Sequence, residues 1–198
     1  MNIVFDLGGV VVRWEPQALI SSVFVDPEAR KVVFDEFVGH PDWVELDRGS
    51  LSPADAVARA ALRTGLSQCE VGHFLRQVPA ALVPIPDTVE LLYRLKARGH
   101  NLYCLSNMHF ASIEHLERTC AFWDVFSGKV ISCRLNLCKP EAEIYSHLLQ
   151  TYELIAADTV FVDDVEVNLI AARQLGMQTI RFENPSQCTS QLKAFGCI

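Results

Sequence analysis

Residues 3–12, IVFDLGGVVV, place one carboxylate and two glycines inside an otherwise apolar run. An apolar run of this kind indicates a buried strand, but Asp6 and the pair Gly8-Gly9 would weaken any strand that continued through them. A strand is therefore predicted over residues 2–5, NIVF, with Asp6 at its carboxyl end. In open sheets of parallel strands, ligands bind beyond the carboxyl ends of the strands, so Asp6 is the first candidate for a functional side chain.

The rest of the chain alternates strand and helix patterns. Four further β-rich runs occupy residues 101–106, 129–132, 159–164 and 178–182. Helical patterns lie between them at residues 86–99, 143–152 and 167–176. This alternation predicts an α/β fold with a Rossmann-like parallel sheet, covered by helices on both faces.

Residues 16–83 break the alternation, because they contain few β-rich runs and much helix-compatible sequence. They are predicted to form an all-helical cap domain inserted into a core domain made of residues 1–15 and 84–198. Pro84 and Pro86 mark the return to the core, since the fixed φ of proline suits a linker. A cap over the carboxyl ends of parallel strands excludes water from the ligand site.

The charge and the hydropathy pattern exclude several classes of protein. A formal net charge of −7 argues against binding to nucleic acid or to an anionic membrane, since nothing here neutralises a row of phosphates. A small anionic substrate remains compatible, because one lysine and a metal ion can set the local field. No apolar stretch approaches the ~18 residues that span a bilayer.

The seven cysteines and the N-terminus predict a cytoplasmic protein. The cysteines are odd in number and lack CxxC spacing, so they are interpreted as small core residues in a reducing compartment. The first residues lack the basic segment of a signal peptide. The oligomeric state is expected to be a monomer or a homodimer.

Six polar side chains follow predicted strands or precede a helix, where a core has no need of them. They are Asp6, Ser106, Asn107, Lys139, Asp163 and Asp164. In a parallel sheet the strand ends meet at one edge, so these side chains are expected to converge. Crowded carboxylates raise one another's pKa unless a cation lies between them, and Mg²⁺ prefers such oxygen ligands.

These groups together fit the transfer of a phosphoryl group. Lys139, Ser106 and Asn107 supply donors for phosphoryl oxygens, and Asp6 is the candidate nucleophile. Each residue alone also has a structural interpretation. Asp6 could accept hydrogen bonds from the glycine-rich turn, Ser106-Asn107 could form a turn or a helix cap, Lys139 could be a solvated surface lysine and Asp164 could cap the helix that follows.

The order of four motifs resembles the haloacid dehalogenase-like hydrolase superfamily, in the subclass with a helical cap. The motifs are FDLGG at 5–9, LSN at 105–107, KP at 139–140 and FVDD at 161–164. Within the superfamily, the sequences of these motifs are most similar to those of sugar-phosphate phosphatases of the α-D-glucose-1-phosphate phosphatase type. The phosphatase domain of soluble epoxide hydrolase also looks similar.

The resemblance implies a role for each matching residue. Asp6 matches the nucleophile that becomes an aspartyl-phosphate, and Lys139 matches the lysine that steadies it. Ser106 and Asn107 match the phosphate-binding motif. The resemblance further implies a Mg²⁺ site formed by Asp6, the backbone carbonyl of Gly8, Asp164 and Asp163, with Asp164 as the main acidic ligand. The substrate is then a small phosphorylated metabolite, and a sugar phosphate is the expected class.

Gly8 departs from the pattern of most phosphatases in the superfamily, which carry a second aspartate there. That aspartate protonates the leaving group and later activates water, and general acid–base help of this kind is typically worth ~10²–10⁴ in rate. Three hypotheses follow: the leaving group needs little help, Glu15 or another group substitutes, or the enzyme is slow.

Other functions and other contacts remain open on the sequence. The dehalogenase branch also lacks the second acid, although the acid pair Asp163-Asp164 suits a metal better than a haloacid. A phosphotransferase is also compatible with these motifs, and so is a catalytically inactive protein that binds a phosphorylated ligand. In the predicted cap, Trp43, Glu45 and Arg48 are candidates to face the leaving group, and His109 and His115 are interpreted as structural or solvated.

Overall fold

The computed structural model describes residues 1–198. Its five strands are β1 (Asn2–Phe5), β2 (Asn101–Ser106), β3 (Phe126–Ile131), β4 (Thr159–Asp163) and β5 (Gln178–Arg181). They form one sheet in the order β3-β2-β1-β4-β5, and every neighbouring pair is parallel. The predicted α/β fold with a parallel sheet is therefore confirmed, with β1 at its centre.

The helices cover the sheet and form the segment between β1 and β2. They are α1 (Pro16–Val23), α2 (Pro27–Val33), α3 (Pro41–Arg48), α4 (Pro53–Thr64), α5 (Gln68–Ala81), α6 (Pro86–Ala97), α7 (Phe110–Thr119), α8 (Ser132–Leu135), α9 (Ala142–Thr151), α10 (Glu166–Gln174) and α11 (Pro185–Ala194). A π-helical turn spans Phe34–Val38, and 3₁₀ turns span Ala121–Val125 and Ala156–Asp158. None of these helices combines the length and the hydrophobicity that a membrane-spanning segment requires.

Both faces of the sheet are buried, because successive side chains of a strand point to opposite faces. Ile3 and Phe5 of β1 pack in one apolar cluster with residues of α6, α7 and α11. Val4 lies in a second cluster with residues of α9 and α10. This burial on both faces explains why the strands are continuous apolar runs rather than alternating ones.

Helices α1–α5, here called the helical insertion (residues 16–81), have an apolar cluster of their own. Its 14 buried residues all lie between Ile20 and Val78. The two chain segments that join the insertion to the sheet run side by side. The backbone N–H of Arg13 donates to the carbonyl of Val83, and the N–H of Ile85 donates to the carbonyl of Val11, both at 2.8 Å. The chain thus enters and leaves the insertion through one pair of adjacent segments.

The third strand differs from its prediction at both ends. β3 begins at Phe126, three residues before the predicted 129–132, and it ends at Ile131. Gly128 interrupts the β-rich sequence pattern of this strand. In the structure the ring of Tyr152 fills the space that a side chain at this position would need, since an added Cβ would lie 2.3 Å from it. Ser132, which was predicted to end this strand, is instead the first residue of α8.

Candidate active site

Three of the parallel strands end at the same edge and place three polar residues together. Phe5 pairs with Cys104 of β2 and with Val162 of β4, so Asp6 follows β1 beside the ends of both neighbours. Ser106 closes β2 and Asp163 closes β4. The backbone N–H of Asp6 still donates to the carbonyl of Val162 at 2.9 Å, which fixes the carboxylate against the sheet.

Lys139 reaches this edge from the loop before α9 and bridges two acids. Its Nζ lies 2.9 Å from Oδ1 of Asp6 and 2.7 Å from Oδ2 of Asp163. All three residues are buried. Burial raises the pKa of Asp6 to about 7, although Lys139 opposes this shift; Asp163 adds to it. Burial by itself would lower the pKa of Lys139, but the two carboxylates hold it above its ordinary value, so the lysine is charged.

Asp163 is held by a set of donors that leaves it little freedom. Besides Lys139, the backbone N–H of Val165 donates to Oδ1 at 2.8 Å. The side-chain amide of Asn168, in the first turn of α10, lies 3.2 and 3.1 Å from the two carboxylate oxygens. Sequence reasoning missed Asn168. The signal was a polar side chain one turn after the acid pair, between the apolar residues Val167 and Leu169.

Ser106 and Asn107 differ in what their side chains are free to bind. The amide of Asn107 donates to the backbone carbonyl of Lys139 at 2.9 Å and accepts from its backbone N–H at 2.8 Å. This closed pair fixes the loop that carries the lysine. The hydroxyl of Ser106 is buried and makes no hydrogen bond of good geometry, although it lies near enough to the Asp6 carboxyl group to lower its pKa. A buried polar group without a partner is costly, so this hydroxyl is available for a ligand.

The acids at this edge fit a divalent cation. One carboxylate oxygen from each of Asp6, Asp163 and Asp164 lies within 4.8 Å of the other two. Asp164 is more open than Asp163 and pairs with no lysine or arginine, unlike its two neighbours. Burial raises the pKa of Asp164, and Asp163 raises it further. A hard cation with oxygen ligands, such as Mg²⁺, would relieve this repulsion.

Gly9 makes room for the Asp164 carboxylate. Its φ is +74°, and a Cβ added there would lie 2.4 Å from Oδ2 of Asp164. At Gly8 the nearest atom to an added Cβ is Trp14 Cβ, at 3.8 Å, an ordinary contact. Of these two adjacent residues, only Gly9 therefore has to be glycine, and Gly8 serves as its matched control.

We expect Gly9→Ala to displace Asp164 and to lower the free energy of unfolding by about 1–3 kcal/mol, the usual cost of a strained backbone. Gly8→Ala should cost much less, because neither its φ nor its surroundings forbid a methyl group. Urea unfolding of both variants measures the difference. Equal costs for the two would contradict the assigned close approach of Gly9 to Asp164.

A cleft between the helical insertion and the sheet edge opens beside Gly8. Its apolar wall is formed by Trp14, Trp43, Val78, Leu82 and Met108, and its polar lining includes Asp47, Asn107 and His109. The rings of Trp14 and Trp43 stack at a centroid distance of 5.7 Å. The structure thus places Trp43, from α3, in the cleft.

Arg48, which was predicted to face a leaving group, does not line the cleft and pairs with acids outside it. Its Nη1 lies 2.8 Å from Oε2 of Glu141 and its Nη2 lies 2.5 Å from Oε1. Its Nε donates to Glu45 at 3.3 Å. Because both acids come from outside the cleft, the guanidinium joins the helical insertion to the loop before α9, and Glu45 is drawn into the same ion pair.

Two further sequence candidates, Glu15 and His109, are also located. The side chain of Glu15 is 61% exposed and lies 3.4 Å from Arg13, so it does not line the cleft. His109 is buried, and its Nε2 lies 3.0 Å from the hydroxyl of Ser112. Burial lowers the pKa of His109 to about 4, so the ring is neutral near pH 7. His109 is therefore a structural residue of the cleft wall.

The fold and the motif order agree with a known family. The family model described as haloacid dehalogenase-like hydrolase matches residues 1–176, so the chain belongs to this family and is a hydrolase. A HAD family enzyme from Bacteroides thetaiotaomicron, bt-2542, in complex with magnesium and inorganic phosphate, has the same fold. Its TM-score is 0.68 at 22% identity, over 92% of this chain and 93% of that chain.

Among curated proteins, the chain is similar to two phosphatases along nearly its whole length. The sesquiterpene phosphatase astK of Aspergillus oryzae is 29% identical over 98% of this chain and 96% of its own length. The D-ribitol-5-phosphate phosphatase of Bacteroides thetaiotaomicron is 28% identical over 96% of each chain. A haloacid dehalogenase of Xanthobacter autotrophicus shares the fold, with a TM-score of 0.68 at 15% identity.

Proposed function

We propose that the protein is a Mg²⁺-dependent phosphatase that hydrolyses a small phosphorylated metabolite through an aspartyl-phosphate on Asp6. The observation that carries this proposal is the buried ammonium of Lys139 between Asp6 and Asp163, with the open carboxylate of Asp164 beside them. The similarity to two phosphatases of different substrates supports the reaction class.

Each residue at the sheet edge has a part in this reaction. A carboxylate oxygen of Asp6 attacks phosphorus and forms the new bond. Lys139 lowers the pKa of that carboxyl group against the effect of burial and offsets charge on the phosphoryl oxygens. The free hydroxyl of Ser106 donates to a phosphoryl oxygen. Asn107 positions Lys139 through its backbone, so it acts on the phosphate indirectly.

The metal is proposed to be held by Asp6, Asp164 and the backbone carbonyl of Gly8. Bound there, Mg²⁺ supplies positive charge that lets an anionic nucleophile approach an anionic phosphate. Asp163 is proposed as a positioning group rather than as the main ligand, because Lys139, Asn168 and Val165 already occupy its oxygens.

The helical insertion is proposed to act as a cap domain, with residues 16–83 as its bounds and residues 1–15 and 84–198 as the core domain. Its own apolar cluster and the pair of adjacent segments at Val11 and Val83 support this division. Closed over the sheet edge, it excludes water from the transfer to Asp6. We further propose a cytoplasmic location and a monomeric or homodimeric state.

The substrate class has two candidates. A sugar phosphate, as for the α-D-glucose-1-phosphate phosphatase type, is the class favoured by the motifs. The apolar wall of the cleft, with two tryptophans and Val78, Leu82 and Met108, favours a phosphate ester of a more hydrophobic alcohol. Burying apolar area stabilises such an alcohol by about 25 cal/mol per Å², whereas hydroxyl groups of a sugar would find few partners on that wall.

Phosphate release from a panel of sugar phosphates and prenyl phosphates, with and without Mg²⁺, tests the function and the substrate class together. Mg²⁺-dependent release from at least one member is expected, and the higher kcat/KM identifies the class. Dehalogenation of a 2-haloacid without metal would instead support the dehalogenase alternative. Binding of a phosphorylated ligand without any turnover would support the alternative of a catalytically inactive binding protein.

Mg²⁺ is also expected to stabilise the fold through Asp164. Binding to the native state alone adds about 2.7 kcal/mol at a ligand concentration of 100 Kd, so the Tm should rise on addition of Mg²⁺. Asp164→Asn should abolish this rise. The matched control is Asp158→Asn, which replaces an exposed acid at the end of the 3₁₀ turn that precedes β4 and should retain the rise. A Tm rise that survives loss of Asp164 would place the metal elsewhere.

A further inference from the structure

The proposed hydrolysis needs a proton donor for the leaving group, and Gly8 cannot supply one. The same reaction later needs a base for the attacking water. Such a group must lie in the cleft beside Gly8, within hydrogen-bond reach of the leaving oxygen. The cleft contains one carboxylate that comes from the helical insertion rather than from the sheet, and it belongs to Asp47 of α3.

The backbone of Asp47 is fixed to the sheet edge across the boundary between insertion and core. The hydroxyl of Ser132, the first residue of α8, donates to the carbonyl of Asp47 at 2.5 Å. The same hydroxyl accepts from the backbone N–H of Met108 at 2.8 Å. Gly49, with φ +84°, packs so closely on α8 that an added Cβ would lie 2.6 Å from the carbonyl oxygen of Cys133.

The side chain of Asp47 lies in the electrostatic field of the catalytic acids. Burial raises the pKa of Asp47 to about 7, and the charge of Asp6 raises it further; the backbone N–H of His109, the Trp43 indole and the charge of Lys139 act in the opposite direction. The neutral ring of His109 also lines this wall. A carboxyl group in such surroundings is able to hold a proton near pH 7 and to give it up.

We propose that Asp47 is the general acid and base of the reaction, so that the helical insertion supplies the group that is missing at Gly8. This inference rests on the proposed phosphatase function. It follows from the position of the carboxylate in the cleft beside Gly8 and from the fixed backbone at Ser132.

The other titratable side chains near the sheet edge are committed elsewhere. Glu15 is exposed and pairs with Arg13. His109 is buried with its Nε2 on Ser112. Asp163 is bound by Lys139 and Asn168. Asp47 is therefore the acid in the cleft that is left to carry a proton.

The two half-reactions balance with one proton shuttled by Asp47. In the first, an oxygen of Asp6 bonds to phosphorus, the bond from phosphorus to the ester oxygen breaks, and the Asp47 carboxyl gives its proton to that oxygen. The alcohol leaves. In the second, the Asp47 carboxylate takes a proton from water, whose oxygen attacks phosphorus. The bond from phosphorus to the Asp6 oxygen breaks and phosphate departs, which restores the Asp6 carboxylate and the protonated Asp47 carboxyl.

The test is Asp47→Asn, assayed with an alkyl phosphate and with nitrophenyl phosphate. We expect kcat/KM for the alkyl ester to fall by about 10²–10⁴-fold. For the nitrophenyl ester it should change far less, since nitrophenolate leaves without a proton. A burst of nitrophenolate, one per active site, should precede slow turnover, because the aspartyl-phosphate waits for its base.

Two further variants separate a proton-transfer role from a structural one. Glu15→Gln should leave both esters unaffected. Gly8→Asp in the Asp47→Asn background should restore part of the alkyl-ester activity, since a side chain at Gly8 meets only an ordinary contact. A Tm equal to that of wild type shows that Asp47→Asn is folded. If this variant does not fold, Asp47→Glu is assayed instead. The ratio of its kcat/KM values for the two esters must then stay close to the ratio for wild type.

Equal losses for both esters without a burst, or no loss for either, would overturn the role of Asp47 while leaving the phosphatase function intact. Absence of phosphate release from both esters by the wild-type protein would contradict the proposed function itself, and the inference with it.

Discussion

Asp6→Asn is expected to abolish phosphate release, with a fall in kcat on the order of 10⁴–10⁶, as for loss of a catalytic nucleophile in other enzymes. The carboxamide of asparagine is uncharged and cannot form the acyl phosphate. The environment of Asp6 supports a large effect of this substitution on kcat, because its carboxylate is buried and lies 2.9 Å from Nζ of Lys139. Steady-state phosphate release in the presence of Mg²⁺ measures the effect.

The fold of Asp6→Asn provides its own control. Burial raises the pKa of Asp6 to about 7 from 3.8, so the native state binds this proton more tightly than the unfolded chain. Its contribution to stability is then lost as the pH rises from about 4 through 7. Without Mg²⁺ and above pH 7, Asp6→Asn should therefore unfold at the same or a higher urea concentration than wild type. Lower stability there would contradict the assigned environment.

Lys139→Met is expected to lower the free energy of unfolding by about 3–5 kcal/mol, the usual cost of removing one partner of a buried ion pair. The substitution keeps the length and apolar body of the side chain but leaves Asp6 and Asp163 buried without a cation. The cost should be largest above pH 7 and shrink toward pH 5, because protonation of Asp6, whose pKa burial raises to about 7, relieves it. Urea unfolding across this pH range measures both features.

Arg173→Met is the matched control, because its ion pair with Glu166 lies on the surface with side chains 44% and 45% exposed. An exposed pair of this kind contributes at most about 1 kcal/mol. If the two methionine variants cost the same, the Lys139 pair is not desolvated as the structure has it. Turnover should survive in Arg173→Met and be lost in Lys139→Met.

The sheet and the edge that carries the polar side chains were predictable because both depend on local patterns. The runs predicted over residues 2–5 and 101–106 have the observed bounds of β1 and β2. Asp6 follows the first strand, and Ser106 is the last residue of the second. Once the strands are parallel, the ends of β1, β2 and β4 must share one edge. The convergence of Asp6, Ser106 and Asp163 therefore follows from the fold class. The buried position of Lys139 does not, since a lysine before a proline is commonly solvated.

Contacts between the helical insertion and the sheet could not be inferred from local patterns. Asp47 and Arg48 are adjacent, yet Asp47 lies in the cleft and Arg48 binds Glu141. Which of the two faces the cleft depends on how α3 packs on α8, and no periodicity specifies that packing. The contact of Ser132 with Asp47 was hidden for the same reason, since Ser132 was assigned to a strand.

Rapid-quench mass spectrometry of the protein during turnover, with a substrate identified from the panel and with Mg²⁺, decides whether Asp6 is the phosphoryl acceptor. The peptide that contains Asp6 is predicted to gain the mass of one phosphoryl group, and fragmentation should place that group on Asp6. Asp47→Asn should increase the phosphorylated fraction, and Asp6→Asn should show none. Phosphate release by the wild-type protein without any phosphorylated Asp6 would contradict the mechanism.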